Sequence, residues 1–179
     1  MLGLVVSPAS ADIPDDTITV SVTAGLLSAS AFAPDAMTDV VLDGTNTNTS
    51  TGTAPEWTVT NARGSDAAWS LSASATDFTS AAGSIDTTAR VLDIGNLIIT
   101  PGTVTAGTGS DDAPTTAPVT MSTTAQALVT SATLGKGSYT LTPTFGLSVP
   151  ANSFRSNFSG VVGSSPINPY ISTITFTIA

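Results

Sequence analysis

The sequence predicts an all-β chain, a single antiparallel β-sandwich of roughly eight to ten strands. Three observations carry that prediction. Many short apolar runs alternate with Ser and Thr at a spacing of two, the period that makes one face of a strand apolar and the other polar. Turn formers separate the runs: the 179 residues include 15 Gly and 11 Pro. No segment keeps the spacing of three and four that marks an amphipathic helix. Charged residues make up only 9% of the chain, but apolar residues make up 41%, which argues for a packed core rather than disorder.

Leu2, Leu4, Val5 and Val6 lead into Ser7-Pro8-Ala9-Ser10-Ala11. An apolar run ending in small residues reads as the remnant of a secretory signal peptide, residues 1–11, cleaved after Ala11. A retained apolar strand is the alternative. Residues 12–179 then form one domain, entered through the polar lead Asp12-Ile13-Pro14-Asp15-Asp16. Residues 17–23 alternate cleanly, with Ile18, Val20 and Val22 on one face, and predict an N-terminal strand. Residues 26–32 continue as a second strand past Gly25.

Residues 43–53 (DGTNTNTSTGT) read as a polar loop, too poor in apolar side chains to pack. The strongest signal follows it. Trp57 and Val59, then Trp69, Leu71 and Ala73, flank a polar break at residues 61–66 and predict a hairpin with both tryptophans in the core. Residues 76–83 read as a loop, and 86–93 fit either one helical turn or a strand. Residues 96–105 read as a strand broken at Pro101-Gly102, and 107–118 as a second polar loop. Residues 119–129 alternate loosely. Residues 138–149 are the longest alternating run, placed at an edge or bulged by Pro143, which has no N–H to give. Residues 150–169 read as a long connection, and 170–178 as the strand that closes the domain. Two sheets of immunoglobulin-like or jelly-roll-like type accommodate this pattern.

Net charge is −9, and the four cations, Arg63, Arg90, Lys136 and Arg155, are scattered. Binding nucleic acid or anionic lipid needs a cluster of cations, so both are excluded as partners. No segment approaches the roughly 20 apolar residues of a membrane-spanning helix.

His and Cys are both absent, which rules out histidine-based triads, thiolate chemistry and the commonest metal ligands. Nearly all the acids lie in polar loops, and the one glutamate, Glu56, has no distinctive neighbour. No catalytic residue, cofactor or metal site is therefore expected. For calcium, the only candidates are Asp12/Asp15/Asp16, the loop from Asp43 to Asn48, and Asp111/Asp112, and none matches an EF-hand loop, so solvated loop acids are the simpler reading. An internal Lys–Asn isopeptide link would have to use Lys136, the sole lysine, with a buried acid beside it; a lysine snorkelling at a Gly-Lys-Gly turn is the simpler reading. Asn48 and Asn157 head glycosylation sequons by pattern.

The turn Asn61-Ala62-Arg63-Gly64, then Trp69-x-Leu71 and the Ser/Ala alternation after it, resembles the WxL domain of bacterial surface proteins. In the last strand, Tyr170 leads into Phe176-Thr177-Ile178, with Phe-x-Ile where that family carries a second Trp-x-Leu. The similarity runs from about Thr17 to the C-terminus. It implies an exported protein at the bacterial cell surface that associates non-covalently with the wall. Trp57, Trp69, Leu71, Tyr170, Phe176 and Ile178 would then form the fold motif.

Such domains usually anchor another module, and none is evident beside this one, so the leading expectation is self-assembly. The chain is read as a non-catalytic subunit of a surface filament or layer, a head-to-tail homopolymer joined by β-strand donation through Ile18, Val20 and Val22. Burying three branched aliphatics yields roughly 5–8 kcal/mol. Ordering the segment costs roughly 7–14 kcal/mol, so ladder hydrogen bonds to a preformed groove would have to tip the balance. The alternative is a WxL-like module that binds a cell-wall polymer without covalent attachment. A carbohydrate-binding adhesin using Phe78, Phe154 and Phe158 is a third reading.

Overall fold

The structure is a computed structural model that describes residues 17–132, 135–164 and 166–179. The expected signal-peptide remnant, 1–11, and the lead, 12–16, lie outside the described residues. The first strands are β1 (Leu27–Ser30), β2 (Asn48–Thr53), β3 (Trp57–Asn61), β4 (Trp69–Ala75), β5 (Phe78–Ser80) and β6 (Arg90–Leu92). A 3-10 turn, Ile94–Asn96, leads into β7 (Leu97–Thr100), β8 (Thr105–Ala106), β9 (Val119–Thr120) and β10 (Gln126–Ser131). Then come β11 (Gly137–Leu141), β12 (Thr144–Val149), β13 (Asn157–Phe158), β14 (Ile167–Asn168), β15 (Tyr170–Ile171) and β16 (Ile174–Ile178).

All pairings are antiparallel, and the sheet orders are β1-β3-β11-β8, β2-β12-β7-β9, β10-β4-β16, β15-β5-β6 and β13-β14. The all-β, sandwich-like class is as expected; the sheet count is higher. The strands of four or more residues fall within the expected range, and the surplus is made of two- and three-residue pieces. Strands that run on in sequence are cut where they cross from one sheet to the next.

Three cuts show this. β3 and β4 are not a hairpin: β3 pairs with β1 and β11, while β4 pairs with β10 and β16. The polar break between them is an arch joining two packed sheets. Pro143 marks the second cut, where residues 138–149 divide into β11 and β12 in different sheets, each an interior strand rather than an edge. The closing strand divides at Ser172-Thr173, opposite the break between β4 and β5. Thr76 N–H donates to the Thr173 carbonyl, and Thr173 N–H donates to Thr76 Oγ1, so both chains turn the corner together.

Other expectations also change. Residues 48–53, read as loop, form β2, because a threonine-rich edge needs only one partner, and β12 supplies a six-residue ladder. Residues 78–80 are likewise a strand, and 86–93 resolve to β6 followed by the 3-10 turn. The strand expected over 17–23 belongs to no sheet. The last rungs are Gly25 N–H to the Ala62 carbonyl and Ala62 N–H to the Leu26 carbonyl, at 2.7 and 2.9 Å. Beyond them, β3 has already turned away into the arch, and among the described strands none pairs with residues 18–23.

The core lies where three sheets meet. Trp57, Val59, Tyr139 and Leu141 come from the first sheet, Trp69, Leu71, Ala73, Leu128 and Val129 from the β4 sheet, and Leu97, Ile99, Phe145 and Leu147 from the β12 sheet. In β4 the burial alternates strictly, so its Ser residues face away from the core as the spacing of two requires.

Candidate functional site

Trp57 is fully buried and stands at the junction of those sheets. Its ring meets Phe176 edge-on at 5.0 Å and Phe145 at 6.3 Å. Its indole N–H donates to the Phe32 carbonyl at 2.8 Å. Trp69 is equally buried, tilted against Tyr139 at 5.7 Å, with its N–H on the Gly135 carbonyl at 3.0 Å. Leu71 is buried beside it, while Tyr170, Phe176 and Ile178 are half-buried. These motif residues are packing elements; no tryptophan ring is presented to solvent for a sugar to stack on.

A polar cluster surrounds the Gly135 carbonyl. Asn61 is buried; its Nδ2 donates to that carbonyl at 2.9 Å, and its Oδ1 accepts from the N–H and Nε of Arg63. Arg63 in turn closes the arch by donating to the carbonyls of Ala67 and Ala68. On the other side of the Gly-Lys-Gly turn, the Asp111 carboxylate accepts from the N–H groups of Gly135 and Lys136. It also pairs with Lys136 Nζ at 3.0 Å.

The backbone N–H of Lys136 is the main reason the Asp111 carboxyl lies below its usual range, and the Asp111 oxygen holds the Lys136 ammonium above its own. An isopeptide condensation needs a protonated acid and a neutral amine, so the environment favours the opposite states. Lys136 is an ion-paired turn residue. Burial, with Asp111 next, raises the Tyr139 phenol, whose O–H donates to the carbonyls of Lys136 and Asp111.

The outward face of β2, β12 and β7 is of a different kind. Register aligns Thr53, Thr144 and Thr100 in one row, Thr51, Gly146 and Ile98 in the next, and Thr49 with Ser148 in a third. Gly146, lacking a side chain, leaves a shallow trough of about 380 Å³ between the hydroxyls. A Cβ at Gly146 would meet nothing within 4 Å. No charged side chain lines the trough.

The remaining sequence candidates do not converge. Among the described residues no three acids gather as a metal site. The Asp43 carboxylate is occupied by its own turn, accepting from Thr45 and Asn46, and lies well below the usual range for that reason, Asn46 foremost. Asn157 is buried, and its amide donates to the carbonyls of Ala81 and Thr88. Phe78 is buried and Phe158 half-buried; Phe154 is exposed but carries the Arg90 guanidinium 4.0 Å above its ring. The apolar residues of the proposed donor segment are exposed: Ile18 is 99% exposed, Val20 88% and Val22 93%.

The threonine face was not singled out in the sequence. Its one signal there is the Thr-x-Thr-x-Thr spacing of residues 49–53 facing Thr144-x-Gly146-x-Ser148.

No curated protein and no solved structure matches the chain. The family model described as "WxL domain surface cell wall-binding" matches residues 24–176. That span takes in every strand from β1 through β15 and most of β16, including both tryptophans and the Phe176 strand. The chain belongs to the WxL family of bacterial cell-surface, cell-wall-binding proteins.

Proposed function

We propose that this chain acts without catalysis, by binding an uncharged polysaccharide strand of the wall through the hydroxyl-bearing face of β2, β12 and β7. The observation that carries the reading is the family match over residues 24–176. The face is chosen by elimination and by chemistry. The motif tryptophans are enclosed, and a net charge of −9 opposes a polyanionic ligand. Threonine offers a hydroxyl that both donates and accepts next to a methyl, matching the mixed polar and C–H surface of a pyranose. Its branched side chain is already stiff at χ1, so little is lost in ordering it.

Co-sedimentation with purified peptidoglycan tests this. The chain should pellet with the insoluble polymer. Gly146→Ile, which fills the trough, should weaken binding about tenfold, close to 1.4 kcal/mol. A chain that stays in the supernatant, or a Gly146→Ile variant that binds like the parent, overturns the assignment.

A second reading rests on a separate observation, the exposure of Ile18, Val20 and Val22 on a segment of strand-like alternation. In it, residues 17–23 are donated to a neighbouring protomer, and the chain builds a surface filament. Removing residues 17–23 should abolish any polymer while leaving the fold intact; polymers that persist would refute it.

A further inference from the structure

Ten of the 14 exposed large apolar side chains among the described residues fall in two groups; Phe32, Val41, Ile85 and Ile98 lie outside them. Ile18, Val20, Val22 and Leu26 form one group. Val91, Phe154, Val161, Val162, Ile167 and Ile171 form the other, on β6, β14, β15 and the loops around them. Soluble surfaces rarely carry such groups without a partner. Within residues 17–23 the apolar members, Ile18, Val20 and Val22, keep a spacing of two and are all β-branched, which suits a sheet edge and not a helix groove or a lipid surface.

The second group supplies such an edge. In the β15-β5-β6 sheet, no strand among the described residues pairs with the outer side of β6. Register aligns Ile171, Thr79 and Val91 in one outward row that ends at that open edge. A strand laid beside β6 with its aliphatic face outward would extend this row from Val91 onward.

Position and charge fit the same pairing. β4 begins at Trp69, beside the Gly135 turn and the Asn61 end of β3, where the chain before Gly25 departs. It ends at Ala75, next to β5, so the two groups lie at opposite ends of a seven-residue strand. Arg90 sits on β6 and makes no ion pair among the described residues. The segment 17–23 follows directly on Asp12, Asp15 and Asp16 in sequence.

We propose that residues 17–23 of one copy pair with the free edge of β6 in a second copy. This deepens the strand-donation reading and rests on it. The contact joins different surfaces at opposite ends of the molecule, so it is heterologous and propagates as a line unless its rotation closes a ring.

The absence of cysteine makes the test direct. A Val20→Cys variant of the full chain is mixed with a Val91→Cys variant under mild oxidation. A second mixture pairs Val20→Cys with Ser65→Cys, a control position in the arch. Sedimentation velocity is run in parallel on the parent chain and on a deletion of residues 17–23. The expected result is a series of linear oligomers in the parent, monomer in the deletion, and disulfide-linked heterodimer with Val91→Cys at least tenfold above the control. Oligomers that require residues 17–23 but crosslink no better to Val91→Cys than to Ser65→Cys overturn the β6 edge and leave strand donation standing. A parent that stays monomeric, or oligomers that survive the deletion, overturn both.

Discussion

Asn61 and Trp69 donate to the same acceptor, the Gly135 carbonyl, at 2.9 and 3.0 Å from the two ends of the arch between β3 and β4. The arch joins two sheets, and both donors are buried, so their shared carbonyl fixes how those sheets meet. With either donor gone the carbonyl keeps one partner; with both gone it becomes a buried acceptor with neither. Trp69→Phe and Asn61→Ala should each cost about 1–3 kcal/mol. The double variant should exceed their sum by about 1 kcal/mol, read as a double-mutant cycle in urea unfolding. Simple additivity would mean the carbonyl is satisfied in some other way.

The Asp111–Lys136 pair gives a pH signature with a definite sign. The Asp111 carboxyl is lowered, chiefly by the Lys136 backbone N–H, so its contribution is full above the unfolded value of about 3.9 and is lost as pH falls through the lower folded value. Lys136 is raised, chiefly by the Asp111 oxygen, so its share holds below about 10.4 and is lost as pH rises through the higher folded value. Asp111→Asn should therefore be less stable than the parent at neutral pH. The gap should close on acidification below the ordinary carboxylate range. Thermal unfolding across a pH series checks this, and a gap that stays constant into strong acid would contradict it.

What the sequence disclosed, and what it hid, follows from the range of the interactions involved. Strict alternation in residues 57–61 and 69–73 is local, so the two strands and their buried tryptophans were legible. Their pairing was not. Whether β3 lies beside β4 or beside β1 and β11 is decided by packing between sheets, and a polar break of the same composition serves a hairpin or an arch equally well. Residues 43–53 misled for a related reason. Apolar content reports burial, but β2 is an edge strand held by its ladder to β12, with only Ser50 buried. Residues 17–23 carried a strand pattern without a strand, because period two records an affinity for a sheet and not the presence of one. The hydroxyl face and the Gly135 hub were invisible for the same cause: each is assembled from segments far apart in sequence.

Gly146 offers a way to separate folding from binding. It sits mid-strand in β12 with open space where a side chain would go. Glycine in a strand interior is destabilising by roughly 0.5–1 kcal/mol relative to a residue with a side chain, so Gly146→Thr should raise stability by about that amount. The same change narrows the trough between Thr51 and Ile98. Calorimetry and wall co-sedimentation on one variant should therefore move in opposite directions, firmer fold and weaker binding. A fall in both would instead mark Gly146 as a packing requirement.

Two glycines in left-handed backbone test how tightly the arch end is built. Gly64 has φ +64 and Gly135 has φ +90, so each favours glycine on conformational grounds alone. They differ in surroundings. A Cβ at Gly64 meets nothing within 4 Å, whereas one at Gly135 would lie 2.7 Å from Trp69 Nε1 and closer still to Ser131 Oγ. Gly64→Ala should cost only the backbone preference, about 1 kcal/mol. Gly135→Ala should cost at least about 2 kcal/mol more, because the collision displaces the ring that donates to the carbonyl of that same residue. It should also alter the near-ultraviolet dichroism of Trp69, which Gly64→Ala should leave as in the parent. Equal costs for the two substitutions would show that the Gly135 turn relaxes without disturbing the tryptophan.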